Sequence, residues 1–284
     1  MISQETVWSD IWPVVEQMIE ATLAENAAKI ATLVVPGEQA AEMLDLFGFT
    51  VFDILLKTVL GRGSLGLTRA IETENGRFVH IEYAWPDPTS GDNSYTAADV
   101  VSIQLAMQDD QWRIVTVNPA HIDLPLTGAR ARGILTTSKI LTEVDNIPSE
   151  PWVLPIALYG GMLQLPLQPT AMQDEVERLL LPGLQHRTYG AVSLVQGRRL
   201  WRDFKATAKP DLDKPAGWAA AAEFVMSEQD VRNVTQAAIA KHYQTSLTNV
   251  VPRIKQIKKV LGIKGLDERY TDLQATQIVY KDEA

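Results

Sequence analysis

The sequence contains no cysteine among its 284 residues. Without cysteine the chain forms no disulfides and no thiolate metal sites, and it has no thiol nucleophile. Such chains suit a reducing cytosol, so we expect a cytoplasmic location. The longest uncharged stretch, residues 151–173, contains four prolines and two adjacent glycines. Because these residues disfavour a spanning helix, we expect a partly buried connector there and no membrane association.

Catalytic and cofactor motifs are also missing. The four histidines, at positions 80, 121, 186 and 242, lie singly and lack the spacing of a metal motif. The stretch GRGSLG at 61–66 has the glycine spacing of a dinucleotide loop, but that fingerprint requires a preceding strand and a following helix. Here a helix precedes and a strand follows, so we expect a turn. We therefore expect no metal, no cofactor and no enzyme activity.

Charge is distributed unevenly along the chain, whose net charge is −9. Residues 1–184 contain 10 Lys and Arg against 24 Asp and Glu, whereas residues 185–265 contain 14 against 6. The overall balance argues against nucleic acid, but local potential governs the encounter with phosphate. The charge of the basic segment is therefore compatible with a nucleic-acid partner.

The first 120 residues predict helices followed by strands. Apolar residues at helical spacing indicate helices over roughly the first sixty residues, with a possible break near Gly48. The period then changes to two, and Asn75-Gly76 and Asp109-Asp110 mark two hairpin turns. This order predicts an α+β domain with helices packed on a four-stranded antiparallel sheet.

That element order, which closes on QWRIVTVNPAHID, resembles the NTF2-like (SnoaL-like) α+β domains. The resemblance implies a domain over residues 1–123 that serves as a dimer interface, a small-ligand pocket or an enzyme. If the domain holds an isomerase-like or dehydratase-like pocket, its polar candidates are His80, Tyr83 and Asp99.

The second half of the chain predicts helices after an irregular region. Residues 124–169 are interpreted as a Pro-rich linker, within which a helix over 129–144 is plausible. Residues 170–265 are interpreted as an all-helical domain, with Thr170 as a helix cap and Pro215 in a first helical turn. An acidic tail follows at 266–284.

Two short helices joined by a tight turn are predicted at 235–261. Val250, Ile254, Ile257 and Leu261 form one apolar stripe, and Thr235 and Ser246 are good N-caps. The segment resembles the helix-turn-helix of bacterial transcription regulators and, more loosely, the helical repeat of transcription factor IIB. That resemblance implies that the second helix meets DNA.

Two departures from the helix-turn-helix pattern affect the expected mode of binding. The turn has Gln244 where glycine is usual, and Pro252 faces outward in the second helix, where it offers no side-chain donor. Contacts to phosphates are therefore expected to dominate over contacts to bases. The candidate DNA-binding residues are Lys241, Thr248, Asn249, Arg253, Lys255, Lys258 and Lys259.

A second basic segment, residues 197–210, interleaves arginines and lysines with Trp201 and Phe204. It either extends a nucleic-acid surface or places its aromatic residues in the core. The leading hypothesis is a DNA-binding or regulatory protein whose N-terminal domain dimerises or senses a small ligand. The alternatives are a protein-interaction module with a purely structural helix-turn-helix and, third, an NTF2-like enzyme.

Overall fold

The computed structural model describes residues 7–57, 67–72, 78–84, 100–120, 132–135 and 157–271. The chain divides into two compact units between Ala157 and Leu158. Most of the described chain is helical. Of the helices in these ranges, none combines the length and apolarity needed to cross a bilayer.

The first unit begins with short helices. They are α1 (Trp12–Leu23), α2 (Ala27–Leu33), α3 (Gln39–Phe47) and α4 (Thr50–Phe52). One π-helical turn, Val7–Ile11, precedes α1, and another, Asp53–Lys57, follows α4. The Asn26 side chain caps α2 by accepting from the backbone N–H of Lys29 at 2.9 Å. The expected break at Gly48 is confirmed, because this residue ends α3 with a φ of 68° that favours glycine.

The strands form one antiparallel sheet. They are β1 (Leu67–Glu72), β2 (Phe78–Ala84), β3 (Val100–Gln108), β4 (Gln111–Ala120) and β5 (Arg132–Leu135), in the order β4-β3-β2-β1-β5. The expected turn between β3 and β4 is confirmed: Asp109 and Asp110 have φ angles of 51° and 59°. Such positive angles match the twist of a tight hairpin. The turn expected at Asn75-Gly76 lies outside the described residues.

The core of the first unit lies between helices and the β3–β4 hairpin. Helices α1 and α3 pack against β4, and Val34 forms an isolated parallel bridge with Ile114 of that strand. Fully buried side chains come from both layers; they include Trp12, Val15, Met18, Met43, Leu46, Phe52, Ile103, Leu105 and Val117. The alternation of Ile103 and Leu105 places one face of β3 in this core.

The predicted fold class is wrong. Helices predominate in the described chain, and the sheet has five strands instead of the four expected of an NTF2-like domain. The additional strand, β5, pairs antiparallel with β1 and lies where a helix over 129–144 was expected. A strand of four residues is too short to give a periodic signal, and its position is fixed by hydrogen bonds to a distant segment.

Within its described residues, the second unit contains five helices of more than one turn. They are α5 (Glu175–His186), α6 (Ala191–Ala208), α7 (Pro215–Gln229), α8 (Gln236–His242) and α9 (Leu247–Leu261). Helix α7 is central, because it packs against all four of the others. Its four consecutive alanines, residues 219–222, are fully buried, which allows neighbouring helices to approach on several sides. Pro215 begins α7, as predicted.

The basic segment at 197–210 belongs to the core of this unit. Trp201 and Phe204 are fully buried, and Arg202 donates to both carboxylate oxygens of buried Glu177 at 2.8 and 3.1 Å. The expected cap at Thr170 is wrong: Asp174 caps α5, accepting from the N–H of Glu177 at 3.0 Å. Its carboxylate also accepts from Trp201 and Lys205, so the acid is held in place by helix α6.

Burial of the apolar stripe on α9 yields a first prediction. Ile257 is fully buried, whereas Gln256 beside it is exposed. We expect Ile257→Ala to lower the free energy of unfolding by about 2–5 kcal/mol, because it removes buried methyl groups and leaves a cavity. Gln256→Ala, the matched control, should change it by less than about 0.5 kcal/mol. Urea unfolding followed by circular dichroism measures both, and equal effects would contradict the packing of α9.

Candidate nucleic-acid interface

Helices α8 and α9 are joined by a tight turn, and local contacts define where each begins. Thr235 caps α8 through its side chain, which accepts from the N–H of Ala238 at 3.2 Å. Gln244 adopts the expected left-handed conformation, with a φ of 51°. Ser246 is at the N-cap position of α9 but does not cap it through its side chain; its hydroxyl pairs with that of Thr248 at 2.8 Å.

The two faces of α9 have different environments. Val250, Ile254, Ile257 and Leu261 are buried against α7 and the neighbouring helices, as their spacing predicts. The opposite face carries an exposed stripe at spacings of four, three and four residues. This exposed stripe consists of Thr248, Pro252, Lys255 and Lys259. At 1.5 Å per residue the exposed stripe extends for about 16 Å along the helix.

The candidate cations divide into those with and without a partner. Lys258 pairs with Glu228 at 2.8 Å. Within the described ranges, Lys241, Lys255 and Lys259 form no ion pair, and all three are exposed. These three ammonium groups are therefore accessible to an external anion, whereas Lys258 would have to leave its carboxylate.

Arg253 is engaged within the protein. Its guanidinium lies 4.8 Å from the centre of the Trp218 ring and donates to the backbone oxygen of Asn249 at 2.8 Å. It also packs on Gly217 so closely that a Cβ atom at that position would lie 2.9 Å from Arg253 Nη1. Asn249 is half-buried beside it. Arg253 thus joins α9 to α7, and its guanidinium is less available to DNA than the exposed lysines.

A buried charge network, which sequence reasoning missed, holds the helix-turn-helix to the rest of the unit. Glu223 of α7 is fully buried; it pairs with Arg187 at 2.5 Å and accepts from the Tyr243 hydroxyl at 2.6 Å. Burial raises the pKa of Glu223, and the two partners offset part of that effect. Arg187 also donates to the backbone oxygen of Ala238 in α8. Because these residues are separated in sequence, no local pattern indicates their association.

Two of the scattered histidines meet beside this network. His186 at the end of α5 and His242 at the end of α8 stack with ring centroids 5.0 Å apart and planes at 17°. Burial, followed by the positive charge of Arg187 and then His186, lowers the pKa of His242 below its usual 6.5. The surroundings of His242 therefore favour its neutral imidazole.

The other site candidates lie elsewhere. His80 and Tyr83 belong to β2, but their side chains fall outside the described part of the chain, as does Asp99 altogether. The GRGSLG stretch at 61–66 also lies outside it. Among the described residues there is no group of three or more His, Cys, Asp or Glu that could hold a metal ion.

Comparisons with protein families, with curated proteins and with solved structures were made for the whole chain. None of the three gave a match. Function is therefore inferred from the residues and their geometry.

The exposed proline of α9 yields a second prediction. Pro252 is the sixth residue of the helix and has no N–H for the carbonyl of Thr248. We expect Pro252→Ala to raise the free energy of unfolding by about 1–2 kcal/mol, since the restored hydrogen bond outweighs the greater freedom of the unfolded chain. Thermal unfolding measures this change. The control is Lys255→Ala on the same face, and a loss of stability in Pro252→Ala would contradict the expectation.

The stacked histidines yield a third prediction. Because the pKa of His242 is lower in the folded protein than in the unfolded chain, unfolding takes up a proton as pH falls through this range. The stability that neutral His242 contributes is therefore present above pH 6.5 and lost as pH falls towards and through its folded pKa. We expect the free energy of unfolding to decline more between pH 7.5 and 5 in the wild type than in His242→Gln. Superimposable pH profiles from urea titrations would contradict this assignment.

Proposed function

We propose that the protein is a DNA-binding regulatory protein that contacts duplex DNA mainly at phosphates through α8 and α9. The observation that carries this proposal is the exposed stripe of α9, which lies opposite a fully buried apolar stripe on the same helix. The helix is thus anchored on one side and presents lysines on the other.

Charge supports the proposal. Lys255 and Lys259 on the exposed stripe, and Lys241 on α8, have no ion-pair partner among the described residues. Each ammonium group that meets a phosphate releases about one condensed counterion, which favours binding at low salt. Three such contacts are enough for weak, salt-sensitive association.

The composition of the exposed stripe favours positioning over base recognition. Pro252 has neither a side-chain donor nor a side-chain acceptor, and Thr248 is the polar group nearest the start of α9 on this face. Leu247, whose exposed fraction is 43%, is suited to an apolar contact with a thymine methyl group. Binding with little sequence preference is therefore expected of α9 alone.

In this proposal the first unit serves as a dimerisation or ligand-sensing module. Paired helix-turn-helix segments bind two half-sites on one face of a duplex, which raises both affinity and specificity. A dimer would therefore compensate for the small number of base contacts that each α9 helix offers.

A protein-interaction module is the second candidate function. Leu247 and Pro252 place apolar surface on the accessible part of α9, and buried apolar side chains are the usual anchors of a protein interface. In this alternative the lysines would form a solvated rim around that anchor.

A salt-titrated mobility shift with random-sequence duplex DNA gives a fourth prediction. The wild-type protein should retain the duplex at low salt and release it as salt rises. Lys255→Ala and Lys259→Ala should each weaken binding about five- to tenfold at 0.1 M salt and reduce the salt slope by about one. Arg253→Ala should reduce the slope less, because its guanidinium already lies on Trp218.

The matched control is Lys29→Ala, which removes the same charge from α2 in the first unit. Lys29→Ala should leave the affinity for the duplex and the salt slope of that affinity unchanged. If the wild type fails to shift the duplex even at the lowest salt, DNA binding is excluded and the interaction module becomes the better interpretation. A loss of binding in Lys29→Ala equal to that in Lys255→Ala would indicate unspecific charge attraction.

A further inference from the structure

A groove beside the helix-turn-helix has a chemistry that the proposed DNA contact does not use. This histidine groove has a volume of about 500 Å³ and lies between α5 and the end of α8. Its volume falls within the range of small-ligand sites. The lining residues that matter here are Arg178, Gly183, His186, His242, Tyr243 and Gln244.

The groove owes its shape to a glycine. Gly183 lies so close to the Tyr243 ring that a Cβ atom at this position would overlap its hydroxyl group. The Tyr243 hydroxyl can therefore pass close to α5 and reach Glu223. His242 packs edge-on against the Tyr243 ring at a centroid distance of 4.9 Å. This contact fixes the imidazole of His242, whereas that of His186 is exposed.

The fixed charges around the groove balance when the histidines are neutral. On α5, Arg178 pairs with Glu175 at 3.4 Å, and Arg187, just beyond the end of the helix, pairs with Glu223 of α7 at 2.5 Å. Tyr243 carries no charge, because burial followed by the nearby Glu223 charge raises its pKa far above its usual range. Arg178 and Arg187 thus each have their own carboxylate, and within the described chain neither carboxylate is ion-paired with His186 or His242.

The C-terminal carbonyls of α5 and α8 at the groove are hydrogen-bonded within the protein. The carbonyls of Gly183, Leu184 and Gln185 accept from the backbone N–H groups that follow α5, and those of Ala240 and Lys241 accept from the turn after α8. The carbonyls are therefore satisfied, while the negative end of each helix dipole favours a cationic group at the groove. The groups left to interact with a ligand include three kinds of donor: the Arg178 guanidinium, the imidazole N–H groups and the NH₂ group of Gln244.

We propose that the histidine groove binds a phosphate group, with the stacked imidazoles of His186 and His242 supplying the positive charge by taking up protons as it binds. Two stacked imidazolium rings 5.0 Å apart repel each other, and an anion bound across their edges offsets that repulsion. A phosphate dianion matches two such charges and has enough acceptor oxygens for both rings and for Arg178. The site therefore takes up an anion and protons together.

Thermodynamic linkage between phosphate binding and protonation of the histidine pair gives a fifth prediction. If phosphate binds the protonated pair, phosphate must raise the proton affinity of the pair by the same factor as protonation raises the affinity for phosphate. NMR titration of the histidine ring protons measures this in the full chain with inorganic phosphate as the probe and sodium chloride at equal ionic strength as the reference. We expect phosphate to increase the proton-binding constant of His242 at least about threefold, with no change at His80 or His121.

Two substitutions separate the groove from a general ionic effect. Arg178→Gln removes a donor from an exposed side chain and should reduce the phosphate-induced change, and His186→Gln should abolish it. Lys264→Gln, an exposed change of the same charge outside the groove, is the control and should retain it. Ring-proton spectra of each variant also report whether the fold is intact, so Arg178→Gln remains informative if His186→Gln unfolds.

A further titration distinguishes the sources of the phosphate group. Duplex DNA replaces inorganic phosphate at the same ionic strength. A response to inorganic phosphate indicates a small phosphate ligand, whereas a response to duplex alone indicates that the groove takes a phosphate of the DNA backbone. Equal proton-binding constants in chloride, phosphate and duplex would overturn the proposal, as would a change of the same size at His80 and His121. Neither result affects the lysine-dependent mobility shift proposed above.

Discussion

In the second unit, the position of helix α8 depends on the buried carboxylate of Glu223. Glu223 lies on the central helix α7, and its two oxygens meet Arg187 at the end of α5 and Tyr243 at the end of α8. A carboxylate without partners in such a place would cost several kcal/mol, so three helices must keep their relative positions for it to be satisfied. The placement of α8 against α5 and α7 and the shape of the histidine groove follow from this constraint.

Other contacts explain how the proline-containing helix α9 is held firmly. Helix α9 loses one backbone hydrogen bond at Pro252, but its buried stripe and the contact of Arg253 with Trp218 attach it to α7. Tertiary packing provides most of the stability of helices in proteins, so one missing bond on the solvent side is tolerated. The exposed lysines of α9 are then available to bind a partner, because the stability of the fold does not depend on them.

Local features of the second unit were predictable from sequence, whereas its polar contacts were not. Thr235 as a cap, Gln244 in a left-handed turn and the apolar stripe of α9 each depend on neighbouring residues. The pairs Arg187–Glu223 and Trp218–Arg253 join residues more than thirty positions apart, and such partners leave no periodic signal. In the first unit the Asp109-Asp110 turn was also predictable from the sequence. Strand β5 was missed, because only its pairing with β1 defines it.

The close approach of Gly183 to Tyr243 has a consequence for how this protein can evolve. Adjacent positions on α5 should differ sharply in the substitutions they accept. Pro182 is exposed to solvent. Any side chain at position 183 would displace Tyr243 and leave Glu223 without its hydroxyl partner. A change at this glycine would therefore be accepted only together with a smaller residue at 243. Covariation between these two positions would be the mark that the constraint leaves in related sequences.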